Sequence, residues 1–372
     1  MAKQLVEHRT TLLKLQSQFG QAETGLAAED AAEVLLDAVK MTTSVSTNSL
    51  RFAGGRGSPN KSLVTGASKT EVEISYPMKN GDTATPGQWT LPLLCSGFKK
   101  DSQGALHTFT PTYLLSEMKD CTVWQYSGNN DNDSSILREA DSCQFDCDII
   151  LDWTKGDAFG RANFTGKGKS DYSPVLATKP TISKTSVGAY SITGANVSMF
   201  GPNYDPLNIT FHVKRGPELL ISHATGYSGT LLTAPAAITW EAVVYKDSGA
   251  LAESDLRSGT LGTISAAWGA APGKITVGTG SQKAKITEVS HSEQDGVELY
   301  ELKGEVVDND FYILCDCDAI FYSHIQNTTS REKAARIWQI KLESGGGMAS
   351  IQDYLLSNMD ELISRDIVLG VV

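Results

Sequence analysis

The chain has 372 residues, 40% hydrophobic and 20% charged, the balance of a folded globular protein long enough for two or three domains and a core that needs no cross-links. A formal net charge of −11 excludes a protein that reads nucleic acid through a basic face, and permits the opposite role, a surface that must not hold DNA. There is no apolar run of about 18 residues and no charged, apolar, small-residue leader, so no spanning helix and no secretory signal are expected. The six cysteines, Cys95, Cys121, Cys143, Cys147, Cys315 and Cys317, are accordingly expected as reduced thiols on strands.

In chain order, residues 9–20 (RTTLLKLQSQFG) and 25–40 (GLAAEDAAEVLLDAVK) predict two helices, the second with Leu26, Val34, Leu35 and Ala38 on one stripe. Residues 42–70 turn polar and small, with GGRGSPN at 54–60, and predict a flexible arm. Residues 1–70 thus form an N-terminal helical segment and arm. From 71 the period switches to two. Val72, Ile74 and Tyr76 alternate with Glu71, Glu73 and Ser75. Ile209, Phe211 and Val213 alternate with Thr210, His212 and Lys214, and Ile238, Trp240 and Ala242 with Thr239 and Glu241. Such alternation predicts antiparallel sheet with one buried and one wet face.

Residues 145–168 and 283–306 read as one hairpin written twice: strand, polar turn with Gly156 and Gly160 or with Gly296, strand, then Gly166 or Gly304. Each follows a strand that leads into a short apolar helix, at 71–98 and at 236–259. The fold class expected is mainly β, a β-rich α+β chain of two tandem sandwich or barrel units, 71–200 and 201–324, each with a short helix. After 325 the period returns to helical. Thr329 and Glu332 form a capping box ahead of Ala334, Ile337, Trp338 and Leu342, and Ile351, Tyr354, Leu355 and Leu362 follow the break at 345–347, so 325–372 is a helical extension.

Catalytic chemistry finds little anchor. The histidines are scattered. In CDCD at 315–318, Cys315 and Cys317 share the side of Phe311 and Ile313 while Asp316 and Asp318 oppose them; two thiols are too few for zinc unless Cys143 and Cys147 approach. NNDNDSS at 129–135 lacks a calcium-loop pattern, GAAPGKI at 269–275 is a residue short of a phosphate loop, and G-x-S-x-G is absent. No catalytic residue, metal or cofactor is expected.

Several segments carry a family likeness. LLKLQSQFGQAETGLAAEDAAEVLLDAV at 12–39, EVEISYPMKNGDTATPGQWTLPLLCSGFKK at 71–100, the hairpin at 142–171, and a second copy from DPLNITFHVKRG at 205 to KGEVVD at 303 resemble the major tail tube proteins of long-tailed bacteriophages, over residues 10–320. The terminal 325–372 segment departs from that pattern. The resemblance implies flat rings stacked into a hollow tube, each unit giving strands to a continuous β-barrel around the lumen. Relatives with a duplicated unit close a pseudo-sixfold ring from three chains, so trimeric rings are expected over hexamers.

It further implies a non-enzymatic structural subunit of the virion tail, assembled in the host cytoplasm, whose acidic lumen passes viral DNA during genome ejection. The implied partners are the chain itself, the tape-measure protein, DNA in transit, and tail-tip and terminator proteins, with no membrane insertion. Glu71, Glu73, Asp146, Asp148 and Glu241 are the expected lumen-lining residues, and Arg51 and Arg56 mark the arm that contacts the next ring. The alternative is a carbohydrate-binding or adhesive β-sandwich module of a phage tail, drawing on six Trp and twelve Tyr. It needs coplanar exposed rings, whereas the patterning buries Trp89, Trp240 and Trp338. A hydrolase with an unrecognised carboxylate pair is the third reading.

Overall fold

The computed structural model describes residues 10–18, 21–23, 30–32, 34–35, 39–51, 61–80, 85–103, 106–127, 134–154, 158–170, 175–178, 180, 189–201, 204–222, 226–234, 236–246, 252–269 and 274–317. Mainly strands form. The chain opens with β1 (Thr10–Leu15), β2 (Val39–Arg51), β3 (Lys61–Pro77), helix α1 (Thr90–Leu94), β4 (Phe98–Gln103), β5 (Leu106–Pro111) and β6 (Cys121–Ser127). Then come β7 (Ser134–Asp152), β8 (Arg161–Lys169), β9 (Val175–Thr178), β10 (Asn196–Met199), β11 (Pro206–Lys214), β12 (Pro217–Ser222) and β13 (Gly226–Leu232). The last group is β14 (Ala237–Tyr245), α2 (Ala252–Ser258), β15 (Leu261–Gly262), β16 (Ile264–Trp268), β17 (Lys274–Thr279), β18 (Ala284–Gln294), β19 (Val297–Val306) and β20 (Phe311–Asp316).

The main sheet is antiparallel, in the order β2-β3-β8-β7-β11-β14-β19-β18-β15, with β6 and β9 also on β7 and β1 on β6. A second sheet runs β4-β5-β20-β17-β16-β10, and β12–β13 is a separate hairpin. Alternation decides what lies between the two large sheets: Val72, Ile74, Phe145, Cys147, Phe164, Phe211 and Trp240 point inward and are buried. Phe211 meets Phe311 of the second sheet at 5.0 Å between ring centroids, and Phe98 packs on Phe311 at 6.2 Å. Two antiparallel sheets sharing an aromatic core make a sandwich.

The strand order of the main sheet repeats. The run β2-β3-β8-β7 is followed by β11-β14-β19-β18. In each, the second strand leads to the short helix and the last two strands are the hairpin. The runs meet where β7 pairs β11, Ile149 opposite Phe211 and Asp148 opposite His212. The second sheet does not repeat: β20 lies between β5 and β17, and β10 pairs β16, so residues 71–200 and 201–324 share both sheets.

The repeated glycines have one physical cause. A Cβ on Gly166 would collide with the Gln144 carbonyl oxygen and the Phe145 ring, and one on Gly304 with the Lys285 carbonyl oxygen and the Trp240 ring. Gly166 lies between Val72 and Phe145, and Gly304 between Trp240 and Ile286. The large ring changes sides while the glycine leaves room for it.

Two expectations for the N-terminal region are corrected. Thr10–Leu15 is strand β1, not helix, paired to β6 with Thr10 through Leu13 buried; Ala31 bridges to Leu12, and Val34 and Leu35 are not helical. A short apolar run is ambiguous by periodicity, and the open edge of β6 decides it. The expected flexible arm is largely paired strand: β2 and β3 pair from Val39 opposite Ile74 to Arg51 opposite Lys61, with one register shift between Val45 and Thr47. Its Thr, Ser and Val content suits a pleated ribbon. Arg56, residues 52–60 and 128–133, and the helices expected over 325–372 with Trp338 lie outside the described residues.

Candidate assembly surface

The five carboxylates singled out in the sequence come to one face of one sheet. Glu71 and Glu73 stand on β3, Asp146 and Asp148 on β7, and Glu241 on β14, all on the side opposite the buried Val72, Cys147 and Trp240. Register, however, places bases beside them. Lys40 of β2 reaches Glu73 at 3.4 Å. Lys167 of β8 lies opposite Glu71 and bonds Glu218 of β12 at 2.8 Å. On the last strands Lys303 meets Glu288 at 3.2 Å and Lys285 meets Glu305 at 3.6 Å. The face is therefore a ladder of mixed charge. The acids were legible from alternation; Lys69 pairs Glu71 from two residues away, whereas Lys40 and Lys214 reach Glu73 and Asp148 from other strands.

Its most tightly knit point is the seam between the two runs. Asp148 Oδ1 accepts from His212 Nδ1 at 2.8 Å and from Lys214 Nζ at 2.8 Å, and His212 Nε2 lies 3.4 Å from Glu241. Partial burial pushes the Asp148 carboxyl up, but the bonds from His212 and Lys214 outweigh it and hold it below its ordinary range. The bond to Asp148 raises His212 against its own burial. Both imidazole nitrogens face carboxylates, so the doubly protonated ring satisfies both. While doubly protonated the ring has no lone pair to offer, and the cluster is then an ionic clasp.

Asp146 has a different task. Its Oδ1 accepts the backbone N–H groups of Arg215 at 2.5 Å and Gly216 at 3.0 Å, fixing the turn from β11 into β12. Arg215 is 1% exposed. Its Nη2 donates to the Thr112 carbonyl at 2.9 Å and its guanidinium faces the Tyr113 ring at 5.5 Å, but Nε and Nη1 find no acceptor among the described residues. Gly97, at φ 77°, gives it space. No sequence signal marked Arg215, because a charged residue following an alternating strand reads as solvated.

The thiols are core groups. Cys315 and Cys317 are buried; burial pushes Cys315 well up and Cys317 to about 12, so neither is a thiolate near neutral pH. Among the described residues no group of three or more His, Cys, Asp or Glu could hold a metal ion.

Among the described residues the eight-strand run from β2 to β18 ends on two open edges. Among the described residues β2 has β3 as its only strand partner, and β18 beyond Lys285 has only β19. Arg51, the described member of the expected ring-contact pair, ends β2 opposite Lys61. No family model and no curated protein matches the chain. No helix among the described residues is long and apolar enough to cross a membrane. What the surface offers chemically is unpaired backbone donors and acceptors on two edges, flanking a charge-balanced face.

Proposed function

We propose that this chain is a structural subunit of a virion tail tube, built of two tandem tube units and stacking as rings into a hollow tube for viral DNA, without catalysis. One observation carries the reading: the four-strand order repeats within the sheet, and the first strand of the first run and the last of the second are left open. Strand directions alternate through the eight strands from β2 to β18, so β18 of one copy meets β2 of the next antiparallel, as β7 meets β11. Three copies then close a ring of twenty-four strands, which removes the open edges at β2 and β18.

The wet face supplies the lumen wall in this reading. Its lysines are neutralised by neighbouring carboxylates, so a passing phosphate backbone finds little net charge to hold it. The β2–β3 ribbon runs on past Lys69, the first β3 residue paired to β8, and suits contact with an adjacent ring. Trp89, Trp124, Trp240 and Trp268 are buried and Trp153 is half-buried with its Nε1 donated to the Ile192 carbonyl, which offers a carbohydrate-binding module no stacking platform on these residues. Electron microscopy of the concentrated protein, with and without a tail-initiating complex, tests the proposal. Rings or tubes with a central channel and threefold repetition are expected; a sample that stays monomeric at all salt and crowding conditions overturns it.

A further inference from the structure

The seam inside the chain dictates how two chains would meet. Past Gly166 and Gly304, and once a bulge at Thr287 in the second hairpin is passed, the hairpins align: Asp146 corresponds to Glu288, Cys147 to Val289, Asp148 to Ser290 and Ile149 to His291. Carrying the alignment across β3 and β14 makes Val72 equivalent to Trp240 and Glu73 to Glu241. One strand further, Met41 corresponds to Phe211, Thr42 to His212 and Thr43 to Val213. The sides of β2 agree, since Thr42 is exposed and Met41 packs against the core, whereas on β18 His291 is exposed where Ile149 is buried.

The lengths of open edge agree as well. β6 occupies one side of β7 up to Cys143, and β11 takes over from Cys147. In the second run β15 occupies β18 only at Ala284 and Lys285, and the stretch from Val289 to Gln294, the counterpart of Cys147 to Asp152, has no strand there among the described residues. α2 packs near β18 as α1 packs near β7, where it leaves room for β11. An edge of the right length, direction and side-chain order thus awaits a strand like β2, and β2 is itself an open edge.

We propose that β18 of one copy pairs antiparallel with β2 of a second copy in one register, Thr42 opposite Ser290, Met41 opposite His291 and Thr43 opposite Val289. This deepens the tube reading and rests on it. The register has a chemical consequence: where the internal seam carries Asp148, His212 and Lys214, the seam between copies carries Ser290, Thr42 and Ser44. Hydroxyls replace the ionic clasp on the wet face, while on the other side His291, ion-paired to Glu253 of α2 at 2.9 Å, stands where the internal seam has Ile149.

The test is thiol cross-linking of the full-length Thr42→Cys/Ser290→Cys variant with a reagent spanning about 5 Å, the separation of directly opposed side chains. Both sites are on the wet face and the native thiols are buried. Covalent linkage between chains, ending at three, is expected. Thr42→Cys/Glu288→Cys and Thr42→Cys/Ser292→Cys, displaced by about 7 Å along the strand, should link about tenfold more slowly. Rings visible by microscopy in which a displaced pair links faster, or in which no pair links, reject the register and leave the tube reading standing. Chains that remain single both in micrographs and after cross-linking reject both.

Discussion

His212 and Asp148 titrate in opposite senses, which gives their bond a defined pH window. A histidine whose folded pKa is raised contributes stability that is complete below its unfolded value near 6.5 and is lost as pH rises through the raised value. A carboxyl whose folded pKa is lowered contributes stability present above about 3.8 and lost as pH falls through the lowered value. The clasp is therefore strongest between these limits. His212→Gln should cost roughly 1 kcal/mol at pH 5, after screening at this half-exposed site, and less at pH 8, in urea melts across that range. Gly304→Ala tests the crowding beneath Trp240: a loss of roughly 1–3 kcal/mol is expected as a lower denaturant midpoint. Arg215 poses the converse case. It is buried with two donors unmet among the described residues, so Arg215→Met should leave the melting temperature unchanged or raise it, whereas Arg215→Ala should lower it by opening a cavity.

At the scale of elements, the β2–β3 ribbon separates folding from assembly. Val45 and Ser68 are cross-strand partners, so residues 46–67 can be exchanged for an Asn-Gly turn without breaking the register below them. That variant should retain its circular dichroism spectrum and melting cooperativity, because the excised part lies beyond the β3–β8 pairing that carries the core. Its rings should still form but fail to lengthen into tubes in electron micrographs. Hairpins β7–β8 and β18–β19 and helices α1 and α2 could be placed from the sequence, since each rests on neighbours in the chain. β1 could not: its six residues suit either period, and Thr10 opposite Tyr126 is a contact across most of the first run.

The whole molecule adds the balance of charge. Net charge of −11 suggested an acidic wall, yet the face that collects Glu71, Glu73 and Glu241 also collects Lys40, Lys167 and Lys303. Reversing the three carboxylates by Glu71→Lys, Glu73→Lys and Glu241→Lys should raise affinity for duplex DNA at low salt by about tenfold or more and steepen its salt dependence, in fluorescence-anisotropy titrations. The wild type should bind weakly with a shallow slope.

By itself the sequence determined what depends on adjacent residues: which positions alternate, which glycines and polar clusters turn the chain, and that Asp148 and Glu241 lie on wet sides of strands. Period-two geometry alone imposes these, because successive side chains point to opposite faces. Only the tertiary structure decided which strands lie side by side. Asp148 meets His212 from 64 residues away, β20 returns to pair β5, and the open edges fall on β2 and β18. A strand's backbone accepts any suitable neighbour, and the choice among them belongs to the packing of the whole core.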